Sequence, residues 1–259
     1  MVLSCGLSQY SLAFFHLFNH AFFKACLFLS AGSIIHILLG EQDTRKMGGL
    51  SSKTPFVYSA VSIASLSLMG VTFLSGFYSK DAIIETALAN FGFASNLLFW
   101  LAIISALLTA AYSLKLLCAA FVGSGFSGFK WSIAANQGVT IIEAVVLLLL
   151  TVGGVMSGFV FKDMFVGFGA SFMDFIGFSL PAISSVELEL ISSLIKGVPL
   201  IGSVVASAFF MNIITTNQGG LIGSGLKPVL EGLRFYYNEV SNRYIALVSL
   251  NLARQAFEG

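Results

Sequence analysis

The sequence predicts an all-α, polytopic membrane protein with about five transmembrane helices, one of them broken, and a C-terminal amphipathic surface helix. Hydrophobic residues make up 57% of the 259-residue chain and charged residues only 10%, whereas about a quarter of the residues in a soluble domain are charged. The mean hydropathy is +0.92. Apolar runs of about 20 residues, each long enough to cross a bilayer, alternate with polar or glycine-rich breaks.

The first predicted span, Ser8–Leu39, carries three ionisable side chains at intervals of four residues, His16, His20 and Lys24. At about 100° and 1.5 Å per residue they form a stripe on one helix face, with heads roughly 6 Å apart. A charge at bilayer depth costs about 3 kcal/mol, so the stripe must face protein or water. Proton or ion passage is the leading hypothesis. The alternative is that Lys24 snorkels or pairs with a carboxylate while the histidines only bond neighbouring helices.

The second predicted span, Phe56–Ala89, is too long for one straight crossing and is predicted to be a broken helix. Its middle contains residues that favour unwinding, namely Gly70, Thr72, Ser75 and Gly76. Such a break is tolerated where the freed backbone faces protein or a cavity. Lys80 and Asp81 follow the break and point about 100° apart on a helix. We expect Lys80 to point inward and Asp81 toward a neighbouring helix, with an interfacial pair at a helix end as the alternative.

Three further spans are predicted at Asn96–Val122, Val139–Phe161 and Ile191–Ile214. Five crossings place the loops after the first, third and fifth spans on one side of the membrane. That side collects most of the basic residues, which are Arg45, Lys46, Lys53, Lys130, Lys227, Arg234, Arg243 and Arg254. It is therefore expected to be the cytoplasmic or matrix side. The lone Glu143, near a span end, is expected to snorkel.

After the fifth span the apolar residues recur at steps of four and three, at Leu226, Leu230, Leu233, Tyr237, Val240, Tyr244 and Leu247. Charged residues fill the other face, and Pro228 suits a first helical turn. This pattern predicts a helix that lies along the membrane surface or against neighbouring subunits. An exposed tail is the alternative. Two domains are therefore predicted, a transmembrane bundle at residues 1–216 and an amphipathic segment at residues 217–259.

The sequence carries no recognisable cofactor or nucleotide site. It lacks a phosphate-binding loop, a dinucleotide fingerprint, a zinc-protease motif and a nucleophile elbow. Cys5, Cys26 and Cys118 do not have the spacing of a disulfide framework or a thiolate metal site. The net charge of +1 gives no basic field that would favour nucleic acid. We expect no cofactor, no metal and no nucleic-acid partner for this chain, so the energy for pumping must come from elsewhere in an assembly.

Three stretches carry a specific resemblance: FHLFNHAFFKACLFLSAGSIIH at 15–36, EQDTRKMGGL at 41–50 and FLSGFYSKDAIIE at 73–85. In this order and spacing they closely resemble subunit 5 of NADH dehydrogenase, the distal antiporter-like membrane subunit of respiratory complex I. HAFFKA alone is shared with related antiporter-like subunits and with cation/proton antiporters. Two later stretches are similar to later segments of that subunit, GFVFKDMFVGFG at 158–169 and RFYYNEVSNRYI at 234–245.

The resemblance implies a proton relay made of Lys24, His20, His16, Lys80 and Asp81, on a central hydrophilic axis and its outlet half-channel. It places the stripe on the family's eleventh transmembrane helix and Lys80 on the discontinuous twelfth. The expected function is proton translocation by a membrane-arm subunit of NADH:ubiquinone oxidoreductase, a translocase with no redox site in this chain. The alternatives are half of an Mrp-type cation/proton antiporter and a purely structural fragment.

The family's subunit has further helices before the matching region and a longer lateral helix after it. We therefore expect the carboxy-terminal portion of a split subunit, with a separate polypeptide that supplies the N-terminal helices. Other membrane-arm subunits, including the antiporter-like subunit 4, and membrane lipids are the expected partners. FMN, iron–sulfur clusters and ubiquinone are expected in other subunits. The expected location is the mitochondrial inner membrane, with the C-terminal tail on the matrix side.

Overall fold

The structure is a computed structural model that describes residues 1–44, 47–89, 92–122, 139–166 and 193–216, together with residues 247, 250, 254 and 255. These residues form helices joined by turns, without a strand among them, and the all-α prediction is confirmed. The helices are α1 (Val2–Gly6), α2 (Tyr10–Ile37), α3 (Pro55–Met69), α4 (Ser75–Ala89), α5 (Phe93–Leu117), α6 (Ile141–Phe165) and α7 (Ser193–Thr216). A 3₁₀ turn at Leu50–Ser52 precedes α3, and a π-helical turn at Cys118–Val122 extends α5.

Three helical segments in the described ranges are long and apolar enough to cross a membrane, judged by length and composition. They are Tyr10–Ile37, Ala94–Val122 and Ile141–Phe165, and they coincide with the first, third and fourth predicted spans. The second predicted span is divided between α3 and α4. The fifth corresponds to α7, which carries Pro199 within the helix and a shorter apolar stretch at Lys196–Phe209.

The predicted break in the second span is confirmed, and Gly70 is where it begins. Gly70 adopts a left-handed conformation with φ +85°, which costs glycine little because it has no Cβ. The N–H groups of Gly70 and Val71 donate to the carbonyls of Ser67 and Leu66, each at 3.1 Å. This Schellman pattern ends α3. The main chain then turns before α4 begins, so the last carbonyls of α3 have no partner in the next helical turn.

α2 lies at the centre of the bundle and packs against α3, α4 and α6. Its middle turn forms an apolar cluster with α3 and α6, made of Phe23, Cys26, Ala60, Ala64 and Leu147. A second cluster joins the end of α2 to the start of α3 and the end of α5, and a third joins α4 to α5. Small residues in the first cluster allow α2 and α3 to approach closely. This packing fixes the helix that carries the polar stripe.

Glu143 lies in the first turn of α6 and belongs to a capping box. Thr140 Oγ1 accepts a hydrogen bond from the N–H of Glu143 at 3.4 Å, and the Glu143 carboxylate accepts one from the N–H of Thr140 at 3.3 Å. Both N–H groups would otherwise have no helical partner. The Glu143 carboxylate therefore binds the backbone at the start of α6, and its snorkelling stays a prediction.

The described residues belong to two compact units, Met1–Ala208 and Phe209–Gly259. The first holds α1 to α6 and most of α7. The second holds the end of α7 and the isolated described residues near the C-terminus. The predicted amphipathic helix from Leu226, and most of the basic loop residues, lie outside the described residues. The segment at 217–259 and the charge asymmetry of the loops therefore stay predictions.

Candidate functional site

A cavity of about 290 Å³ lies among α1, α2, α3, α4 and α5 in the first unit. It is large enough for several water molecules. Three of the predicted site residues, His16, His20 and Lys80, line it. The other residues around it are Met1, Leu3, Phe23, Ser67, Leu68, Gly76, Ile83, Ile84, Ala102, Ser105, Thr109 and Tyr112. Ionisable groups from two helices thus meet at one cavity in the bundle.

The two histidines reach the cavity from successive turns of α2. The ring centroids of His16 and His20 are 5.8 Å apart, close to the spacing expected for groups one helical turn apart. The centroids of the His20 and Phe23 rings are 5.2 Å apart, and the two rings are nearly perpendicular, at 73°. Phe23 is buried in the cluster between α2, α3 and α6, so its ring limits the movement of His20. The two imidazoles are therefore held as neighbours on one side of the cavity.

Lys80 reaches the cavity from α4, and the break in the second span provides its partner. Lys80 Nζ donates a hydrogen bond to the carbonyl of Met69 at 3.3 Å. Met69 is the last residue of α3, where the helix dipole presents its negative end. The same break that frees this carbonyl therefore creates a site for a cation. The Lys80 side chain passes Gly70, since a Cβ on Gly70 would lie 3.5 Å from Lys80 Cδ.

Hydrogen bonds hold both halves of the broken helix against α6. The carbonyl of Gly154 accepts from Ser75 Oγ at 2.6 Å and from Ser67 Oγ at 3.3 Å. The N–H of Gly76 donates to Ser67 Oγ at 3.2 Å, and the two hydroxyls lie 3.1 Å apart. A Cβ on Gly76 would lie only 1.8 Å from the carbonyl oxygen of Ser67. The break is thus a close-packed, hydrogen-bonded joint that positions Lys80.

Ser79 joins the two helices that carry the ionisable groups. Its hydroxyl lies 3.0 Å from Nδ1 of His16, and the residue is fully buried. Sequence reasoning did not single out Ser79. The available signal was its position directly before Lys80 and four residues after Ser75, which places a second hydroxyl on the same face of a membrane helix.

A further polar contact that the sequence did not reveal lies between α2 and α6. The Ser157 hydroxyl donates to Asn19 Oδ1 at 2.9 Å, and Asn19 is fully buried. The amide nitrogen of Asn19 has no hydrogen-bond partner among the described residues. Because Asn19 stands between His16 and His20 in the sequence, this contact helps to fix the rotation of α2 that presents both rings to the cavity.

Lys24 and Asp81 are not among the residues that line this cavity. The Lys24 ammonium lies 4.9 Å from the centroid of the Phe28 ring, one turn further along α2, which is a cation–π distance. Asp81 is half-buried, and within the described part of the chain no ion pair joins it to Lys80. The structure therefore brings together His16, His20 and Lys80, and leaves Lys24 and Asp81 beside that group.

The arrangement is suited to moving protons. Imidazole gains and loses a proton near neutral pH, and a lysine taken out of water can act as a proton carrier. A cavity with room for water can link such groups when their side chains do not touch. Among the described residues, no group of three or more His, Cys, Asp or Glu side chains could hold a metal ion.

Comparison with known proteins finds a family match and several relatives. Residues 1–109 match the family described as NADH:quinone oxidoreductase/Mrp antiporter, TM. The chain is also similar to proteins named NADH-ubiquinone oxidoreductase chain 5. It is 47% identical to the one from Rhizopus stolonifer over 80% of this chain, 43% identical to the one from Marchantia polymorpha over 83%, and 36% identical to the one from Mycosarcoma maydis over 97%. The chain spans 32%, 32% and 38% of those relatives, or about a third of their length.

Proposed function

From these similarities, we propose that the chain is a portion of chain 5 of an NADH:ubiquinone oxidoreductase and moves protons through the cavity lined by His16, His20 and Lys80. The observation that carries the proposal is the meeting of these three ionisable groups from two helices at one cavity. Burying such groups is costly and needs a compensating use or partner. The similarity to chain 5 relatives supports the same assignment, and the family match at residues 1–109 contains His16, His20 and Lys80.

In this proposal, Lys80 is the group that takes up and releases the proton. When charged, its ammonium is stabilised by the Met69 carbonyl at 3.3 Å and by the negative end of α3. When neutral, the amine retains its hydrogen-bonding capacity in a cavity that has room for water. His16 and His20 pass protons along α2, and Lys24 continues this line one turn further. Asp81 takes protons from Lys80 toward the outlet.

The proposal also includes other polypeptides of the assembly. A separate polypeptide would supply the helices that precede the matching region, and this chain would be the carboxy-terminal portion of a split subunit. The antiporter-like subunit 4, further membrane-arm subunits and lipids would surround it. FMN, iron–sulfur clusters and ubiquinone would be held by other subunits. The assembly would lie in the mitochondrial inner membrane, with the C-terminal tail on the matrix side.

Native separation of the membrane assembly tests the proposal. The complexes are separated on a native gel, stained for NADH oxidation in the gel, and analysed by mass spectrometry. We expect this chain in the NADH-oxidising band beside a polypeptide that carries the N-terminal helices of chain 5. Its exclusive presence in a smaller band without that activity would contradict the proposal.

A second candidate is half of a cation/proton antiporter that works without NADH chemistry. The observation that favours it is the family match, whose description covers Mrp antiporters as well as oxidoreductases. Vesicles that contain the purified chain and its partners distinguish the two. Exchange of Na⁺ or K⁺ for protons without redox subunits would favour the antiporter. Proton movement that requires NADH oxidation would favour the oxidoreductase.

A further inference from the structure

The side chain of Ser79 on α4 contacts His16 on α2. Its Oγ lies 3.0 Å from His16 Nδ1 on α2, and the two residues are 63 positions apart in the sequence. Ser79 has no exposed surface, so bulk water does not compete for this hydrogen bond. A buried hydroxyl next to an imidazole influences which ring nitrogen carries the proton.

The second contact of the Ser79 hydroxyl indicates the direction of the first. Ser79 Oγ also lies 3.5 Å from the carbonyl oxygen of Ser75, one turn earlier on α4. Serines in membrane helices often donate to the carbonyl four residues before them. If Ser79 donates to Ser75, its oxygen accepts from His16, and the buried hydroxyl uses both its hydrogen and a lone pair. His16 must then carry its proton on Nδ1.

The opposite arrangement satisfies fewer groups. If Ser79 donated to Nδ1, the hydroxyl would give up its contact with the Ser75 carbonyl, and the N–H of His16 would be on Nε2. His16 lines the cavity with His20 of the same helix and Lys80 of α4, and the Lys80 ammonium supplies only donors. A ring nitrogen with a free lone pair complements those donors, whereas a further N–H does not.

We propose that Ser79 is a positioning residue that holds neutral His16 in the Nδ1–H tautomer, so that Nε2 is the atom that accepts a proton. This inference rests on the proposed proton-translocating function. Ser79 does not itself carry the proton in this account. It keeps one ring nitrogen occupied, so that His16 takes up and returns protons through the other. Metal-binding histidines are held in one tautomer in the same way, by a hydrogen bond at the ring nitrogen that does not bind the metal.

Solid-state NMR of the full chain, with ¹³C- and ¹⁵N-labelled histidine and in lipid bilayers, tests this inference. The sequence has only three histidines, and the His16 signals are those that disappear in His16→Gln. We expect native His16 to carry its proton on Nδ1. In Ser79→Ala, the ratio of Nδ1–H to Nε2–H should fall by about fivefold or more, the equivalent of one net hydrogen bond. In Ser79→Thr, which keeps a hydroxyl, the native ratio should return.

Ser105→Ala is the matched control. Ser105 lines the same cavity, but its hydroxyl donates to the Ala102 carbonyl of its own helix at 2.7 Å, so His16 should keep its tautomer. Native His16 that is protonated on Nε2 or on both nitrogens would overturn the inference, as would an unchanged ratio in Ser79→Ala. The NMR result does not depend on pumping. Failure of the proposed function would instead appear as unchanged proton pumping in the complex with His16→Gln.

Discussion

The ammonium of Lys80 donates to the carbonyl of Met69 at 3.3 Å, across the break between α3 and α4. Met69 ends one half-helix and Lys80 lies in the second turn of the other. The contact therefore exists only because the span is interrupted. A continuous helix would use the Met69 carbonyl for its own next turn. The break thus does more than allow the chain to change direction, because it provides a cation site inside the bundle.

We predict that Gly76→Ala destabilises the break. Its Cβ would lie 1.8 Å from the Ser67 carbonyl oxygen, so the backbone must move. The free energy of unfolding should fall by more than the roughly 1–3 kcal/mol of ordinary overpacking. The measurement is the thermal unfolding of the purified chain in detergent. Gly32→Ala is the control, because a Cβ there meets nothing within 4 Å, and an equal effect of the two substitutions would contradict the prediction.

Ser75→Ala removes the shorter of the two hydroxyl bonds to the Gly154 carbonyl, at 2.6 Å. The Gly154 carbonyl keeps the longer bond from Ser67, so the expected loss in free energy of unfolding is about 1 kcal/mol. Amide hydrogen exchange should also become faster at the start of α4. Ser59→Ala, which removes an exposed hydroxyl bonded within its own helix, should change neither property. Unchanged exchange in Ser75→Ala would show that the joint does not depend on this bond.

We predict that the carboxylate of Glu143 has a structural role and does not carry protons. Glutamine also fits this position of a capping box, so Glu143→Gln should leave both stability and proton pumping unchanged. Glu143→Ala should lower the free energy of unfolding by about 0.5–1 kcal/mol, because the Thr140 N–H loses its partner. Thermal unfolding and NADH-driven pumping are the measurements. Loss of pumping in Glu143→Gln would mean that this carboxylate carries protons.

The general architecture could be predicted from the sequence because it depends on local properties. The length of the second apolar run, together with Gly70 and Gly76, was enough to predict a broken helix. The interval of four residues between His16 and His20 placed both rings on one face of α2. The pattern Thr140-x-x-Glu143 could also have been recognised as a capping box.

The contacts between helices could not be predicted in the same way. The approach of Ser79 to His16 depends on how α2 and α4 are rotated against each other, and no single segment contains that information. For the same reason, the sequence could not show that Lys24 is absent from the residues that line the cavity. Met69 and Gly154 accept hydrogen bonds through their main-chain carbonyls. Their residue types therefore do not indicate this role in the sequence.

A substitution at Asp81 tests the outlet part of the proposed proton path. It lies next to Lys80 without pairing with it, and we propose that it takes up protons that Lys80 releases. Asp81→Asn should therefore lower NADH-driven proton pumping while the complex remains assembled on a native gel. Asparagine preserves the shape of the side chain but cannot exchange a proton. Full pumping in this variant would show that Asp81 is not part of the path. Proton passage through the cavity would then be tested by the Lys80 variants.

The most direct test of the central claim is the number of protons translocated per NADH oxidised, in membrane vesicles that carry Lys80 variants. Lys80→Ala loses the exchangeable group, and Lys80→Arg keeps a cation that does not release its proton. Lys115→Ala, which removes an exposed lysine on α5, is the control. We predict that both Lys80 variants lower the ratio while the control does not. An unchanged ratio in both Lys80 variants would contradict proton passage through this cavity.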